Sequence, residues 1–157
     1  NQDQDTFIST QLKKARAVGI NHVGLEVGNI DEALIFYGNF IEFEIESQNK
    51  DAALIFFGDQ FIDFSLCRNQ ITDDSRHLGI VVDNKELVRQ TLLKMSINFT
   101  KTDSLFFHDP WGNYIEIMAY DKTLYTKADD ILKKMGLGHL TKTDEALAEL
   151  RKKNMAY

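Results

Sequence analysis

With 157 residues and a net charge of −6, the chain has room for one packed core and offers no electrostatic case for nucleic-acid binding. A hydrophobic fraction of 43% without any long apolar run describes an ordinary globule and predicts no membrane span. The opening residues lack the layout of a secretory signal, and a lone cysteine, Cys67, precludes an internal disulfide and suits a reducing, cytoplasmic setting.

"INHVGLEV" (20–27) reads as a strand, and "NIDEALIFYGNFI" (29–41) as a helix capped by Asp31, with an apolar stripe of Ala33, Leu34, Phe36 and Tyr37. "IEFEIES" (41–47) alternates as a half-buried strand with Glu42, Glu44 and Glu46 on one face. "AALIFFG" (52–58) and "DQFIDFSLC" (59–67) complete a first set of strands, with Cys67 a small apolar residue at a strand end rather than a nucleophile. A polar linker, "RNQITDDSR" (68–76), follows.

The order then recurs. "RHLGIVVD" (76–83) predicts a strand, and "NKELVRQTLLKMSI" (84–97) a helix with Leu87, Leu92 and Met95 on its apolar side. "NFTKT" (98–102) and "SLFFHD" (104–109) predict short strands, and "FHDPWGNYIEIMAYD" a turn followed by the last strand. "HVGLEV" aligns with "HLGIVV", and "QFIDFSL" with "NYIEIMA", which sets Asp63 against Glu116. His22 to Asp63 spans 41 residues and His77 to Glu116 spans 39, an internal repeat of one supersecondary unit.

From Lys122 onward 8 Lys/Arg stand against 5 Asp/Glu, so a basic tail of +3 follows a body of −9. That tail (122–157) predicts two short helices, the first ended by Gly136 and Gly138, the second opened by Thr143. Residues 1–18 are read as an N-terminal extension. Residues 19–121 are one domain, made of module one (19–67), the linker 68–75 and module two (76–121).

Alternation places His22 with Gly24 and His77 with Gly79, Asp63 with Phe61 and Ser65, and Glu116 with Tyr114 and Met118. Each copy thus offers an imidazole on its first strand and a carboxylate on its last. If the two copies face each other, these residues form a donor set for one divalent first-row metal: Zn, Ni, Mn or Fe(II). Asp63 could then complete the ligand set or serve as general base. His108 is placed at a turn or pocket rim, His139 on the solvated surface, Trp111 in packing, and Glu26 at an outer rim.

The stretches "INHVGLEVGNIDEALIFY" (20–37), "RHLGIVV" (76–82) and "FHDPWGNYIEI" (107–117) resemble the vicinal oxygen chelate superfamily. That group takes in glyoxalase I, fosfomycin-resistance enzymes, extradiol dioxygenases and bleomycin-binding proteins. The resemblance covers about residues 19–121. It implies an α+β fold of two tandem βαβββ modules in a half-open mixed barrel, here with a C-terminal helical extension. It also implies a metal on His22, Asp63, His77 and Glu116, with Asp63 and Glu116 as the catalytic carboxylates. Asp63 is one methylene shorter than the Glu usual in glyoxalases.

The family's chemistry is a metal that holds two neighbouring substrate oxygens. The proposed strands carry almost no Lys or Arg, Lys101 near a strand end being the main exception. That counts against a phosphonate substrate and mildly against glutathione conjugates. Phe61, Tyr114, Met118 and His108, with Phe56, Phe57, Phe106 and Phe107 near, favour a small, fairly apolar substrate. A glyoxalase-like lyase or isomerase working through a metal-stabilised enediolate therefore stands first. An Fe(II) extradiol-type dioxygenase and a metal-free bleomycin-type binding protein are the alternatives. By resemblance the chain forms a homodimer.

Overall fold

The computed structural model describes residues 13–67 and 69–157; of the expected N-terminal extension only 13–18 fall within this range, and Arg68 of the linker lies outside it. Module one runs β1 (His22–Val27), α1 (Ile30–Gly38), β2 (Glu44–Gln48), β3 (Ala52–Phe57) and β4 (Gln60–Leu66). Module two runs β5 (Leu78–Val82), α2 (Lys85–Lys94), β6 (Leu105–His108) and β7 (Tyr114–Ala119). A short 3₁₀ turn (Tyr120–Lys122) leads to α3 (Asp129–Lys134) and α4 (Asp144–Lys152).

Two mixed sheets result, with strand orders β1-β4-β3-β2 and β5-β7-β6. In each, the first strand lies parallel to the last: His22 beside Phe61 and Gly24 beside Asp63, Gly79 beside Glu116. Parallel neighbours require a crossover, and the helix of each module supplies it. Alternation sends Val23, Leu25 and Val27 with Ile62 and Phe64 to one face, and Ile80 with Ile115, Ile117, Leu105 and Phe107 to the matching face of the second sheet. These residues form one core with Phe36 and Tyr37 of α1 and Val88 and Leu92 of α2. The opposite faces, which carry His22 and Asp63 or Glu116 and Tyr114, stay outside this cluster.

Several local expectations are corrected. Asn29, not Asp31, caps α1: its side chain accepts from the Glu32 N–H at 2.9 Å, while Asp31 accepts from Gln48 Nε2 at 2.6 Å. β2 is exposed throughout rather than half-buried, because it is a sheet edge and its register shifts between Ile45 and Ser47. The apolar side of α2 is Val88 and Leu92, with Leu87 58% exposed. Residues 98–102 form no strand. The Thr100 hydroxyl instead donates to Ser104 O and accepts from the Phe106 N–H, taking an amide that a ladder would use. The second sheet therefore has three strands among the described residues.

The tail packs on the body. Leu132 of α3 and Leu150 of α4 are buried. The Lys142 ammonium donates to Tyr120 O, Thr123 O and Tyr125 O and lies 3.6 Å from the Tyr120 ring centre. Burial pushes this ammonium below its ordinary range, with Asp121 opposing. Around the β3–β4 turn, Lys127 pairs with Asp59, Tyr125 donates to Gln60 at 3.2 Å, and a Cβ on Gly58 would meet Met135 at 2.8 Å. No helix among the described residues is long and apolar enough to cross a membrane.

Candidate metal centre

The Asp-Pro-Trp-Gly-Asn turn that precedes β7 is organised by Asp109. Its buried carboxylate accepts from the N–H groups of Trp111 and Asn113, from Asn113 Nδ2 at 2.7 Å and from the Tyr37 hydroxyl at 2.8 Å. Asn113 also donates to Glu26 O at 2.9 Å. Trp111 lies against Gly28, where a Cβ would stand 2.5 Å from its Nε1. The turn thus locks the start of β7 onto α1 and β1. It fixes the strand from which Glu116 projects.

Glu116 shares the open face of the second sheet with Gly79, Phe106 and Tyr114. His77, immediately before β5, brings its Nε2 to 3.4 Å from Glu116 Oε2. The His77 Nδ1 lies 2.9 Å from Ser75 O. A carbonyl only accepts, so Nδ1 carries the hydrogen. In the neutral ring Nε2 then holds a lone pair that faces a carboxylate. Two acceptors at that separation call for a cation between them, either a second proton on the imidazole or a metal ion. The donor chemistry of this pair fits a divalent ion.

The first module repeats the arrangement in part. His22 is exposed, its ring stacked on Phe61 with centres 4.7 Å apart, and its Nδ1 lies 2.8 Å from Asn21 Oδ1. That bond again leaves the Nε2 lone pair free of this partner. Asp63 lies on the same face, beside Gly24. Within one chain the two pairs do not merge: among the described residues no three His, Cys, Asp or Glu side chains gather closely enough to hold a metal. His77 with Glu116 is one pair, and His22 with Asp63 is a second, separate set.

The aromatic surroundings are sorted by strand parity. Tyr114 stacks on His108 at 4.4 Å and touches Phe106 at 5.0 Å, and Phe106 lies edge-on to His77 at 5.3 Å. Met118 shares that face, its sulfur 3.3 Å from where a Gly79 Cβ would stand. Phe107 is buried in the core on the other face. His108 donates or accepts through Nε2 at 2.8 Å from Asp73 O; since that oxygen only accepts, His108 is the donor. His139 is exposed.

Sequence reading missed the two groups that orient the imidazoles, Asn21 and Ser75, and it underrated Arg76. Where the strands join, a cavity of about 200 Å³ is lined by Glu26, Arg76, His77 and Tyr114, among others. Arg76 lies beside the candidate site with its guanidinium bonded to Asp73 and Gln70. A basic residue directly before the first histidine of a module was the available signal.

The sequence matches no protein-family model and no curated protein. Solved structures share its fold. Fosfomycin resistance protein FosX from Listeria monocytogenes superposes with a TM-score of 0.58 at 12% identity, over 66% of this chain and 94% of that one. A protein assigned to the glyoxalase family from Bacillus anthracis gives 0.56 at 24% identity, over 68% and 98%. An integron cassette protein from Vibrio cholerae gives 0.56 at 19%, over 69% and 99%. The chain has the vicinal oxygen chelate fold that glyoxalase-family proteins and FosX share, with additional residues beyond it.

Proposed function

We propose that the chain is a divalent-metal-dependent enzyme of glyoxalase-like lyase or isomerase type, working as a homodimer on a small, fairly apolar substrate with two neighbouring oxygens. The observation that carries this reading is the His77–Glu116 pair: an imidazole with its Nδ1 hydrogen committed to Ser75 O and its Nε2 turned to a carboxylate 3.4 Å away. His77 and Glu116 of one chain would hold one side of the ion. Because the His22 and Asp63 set is separate within the chain, the partner's His22 and Asp63 supply the other side.

A bound divalent ion would stabilise negative charge that develops on the paired oxygens of the substrate. The chain's residues do the rest. Phe106, Tyr114 and Met118 cover the open face and exclude water from the reacting carbon. Asp63 or Glu116 would take the proton next to the substrate carbonyl as general base. Ser75 and Asn21 keep each ring in the tautomer that presents Nε2.

A mixing experiment tests the shared site. His22→Ala and Glu116→Ala chains, each unable to bind metal alone, are refolded together from denaturant. A site built from two chains regains metal in the mixed dimers, about half of whose sites are intact. Recovery of none contradicts the shared arrangement. Iron in preference to Zn, Ni or Mn would move the chemistry to dioxygenation, since two imidazoles and one carboxylate suit Fe(II).

A further inference from the structure

The Asn21 side chain meets the His22 ring, yet residues 13–21 form no helix or strand and are exposed. Something other than packing therefore fixes Asn21. The two peptide groups that flank it are both tied. Asn21 O accepts from the Phe61 N–H at 3.2 Å, where β1 and β4 begin to pair. Ile20 O accepts from Gln60 Nε2 at 2.9 Å. Peptide groups are planar, so holding both planes limits the two dihedrals between them and sets the direction of the Asn21 side chain. The first tie is sheet pairing. The second is one side chain.

Gln60 is oriented in turn by the tail. Since Ile20 O only accepts, Nε2 is the donor there, and Oε1 accepts from the Tyr125 hydroxyl at 3.2 Å. Tyr125 is half-buried and is itself pinned. The Lys142 ammonium donates to its carbonyl, and the Lys127 ammonium lies 5.5 Å from its ring centre. A residue outside both modules thus ends a short run of bonds that begins at the first-module histidine.

We propose that the C-terminal tail positions His22: Tyr125, through Gln60, holds the peptide before Asn21 and so keeps the ring hydrogen of His22 on Nδ1. Gln60 and Tyr125 are positioning residues and touch no substrate. The consequence for a bound ion rests on the metal reading; the tautomer does not.

Proton–nitrogen NMR of the histidine rings in the metal-free full chain reads the tautomer directly, at about pH 8.5, where ordinary imidazoles are neutral. In wild type His22 should carry its hydrogen on Nδ1. Gln60→Ala and Tyr125→Phe should each move it to a mixture of tautomers, Gln60→Ala the further. His77, oriented by Ser75 O, is the internal reference and should stay unmoved, which a general loosening of the fold would not allow. Zn(II) affinity should fall about tenfold in Gln60→Ala and by less in Tyr125→Phe. A shifted tautomer with unchanged Zn(II) affinity would sustain the positioning and remove His22 from the metal reading. On the unmodified chain, cross-relaxation between the Gln60 side-chain amide and the Tyr125 ring tests the tie even if a variant misfolds. Absence of that contact, His22 protonated on Nε2 in wild type, His22 unmoved in both variants, or His22 and His77 moving together would overturn the proposal.

Discussion

Asn21 Oδ1 and Ser75 O each accept the Nδ1 hydrogen of a following histidine, so on the proposed reading the Nε2 atoms that would bind an ion are set by residues that would not touch it. Removing such an orienting group typically lowers metal affinity by about 10–100-fold. Asn21→Ala should therefore weaken Zn(II) binding by about tenfold in a competition titration while leaving the fold intact; an unchanged affinity would show that His22 is not a ligand. Ser75 acts through its backbone, and Ser75→Ala should leave affinity unchanged. The approach of His77 to Glu116, and the placing of His22 and Asp63 on neighbouring strands of one sheet, were legible in the sequence, because strand alternation and an internal repeat survive in one dimension. The tautomer of each ring was not legible, because it depends on a carbonyl and an amide whose direction only the folded chain fixes. The partners of Arg76 were likewise hidden: Asp73 and Gln70 come from a linker that folds back to meet it.

At the scale of elements, the turn before β7 holds the two modules together. Asp109 is 4% exposed and receives two main-chain and two side-chain donors. Asp109→Ala strands those donors, and buried unsatisfied groups cost about 1–3 kcal/mol each. Its urea midpoint should fall by the equivalent of about 3 kcal/mol, and Tyr37→Phe should fall by less, since one bond is lost. Gly112 sits at φ +88°, and a Cβ there would come within 2.9 Å of the Thr72 backbone. Gly112→Ala should destabilise the chain and loosen the linker that carries Asp73, visible as faster amide exchange at Asp73, whose N–H bonds Gly112 O. The existence and order of these elements followed from periodicity and turn residues. The failure of residues 98–102 to form a strand did not, because Thr100 chooses Ser104 and Phe106 through contacts no periodicity records.

At the scale of the molecule, the tail is fastened to the body by polar ties and a few buried apolar residues. Deleting residues 122–157 should leave a folded but less stable body, checked by circular dichroism and melting; an insoluble product would place the tail in the core. One tie is acid-sensitive. A hydrogen bond from Lys127 holds the Asp59 carboxyl below its usual value of 3.8. Its contribution is present above that value and disappears as the pH falls through the lowered folded one. Burial works against the charge on Lys127, but Asp59 and Tyr125 outweigh it and hold the ammonium above its ordinary range. Asp59 is 66% exposed, so the tie is worth at most about 1 kcal/mol. Amide exchange in α3 should quicken below about pH 4, and Lys127→Gln should abolish that acid-dependent step.

The repeated His–carboxylate pairs and their shared tautomer meet in one claim, that His77 and Glu116 hold a divalent ion. The direct measurement is the metal content, by elemental analysis, of untagged protein purified without chelator, for wild type, His77→Ala and Glu116→Ala. The account predicts near one ion per chain in wild type and its loss in both variants, with all three folded. Wild-type protein that carries no metal and gains none from added Zn, Ni, Mn or Fe(II) would contradict it, as would variants that keep the ion.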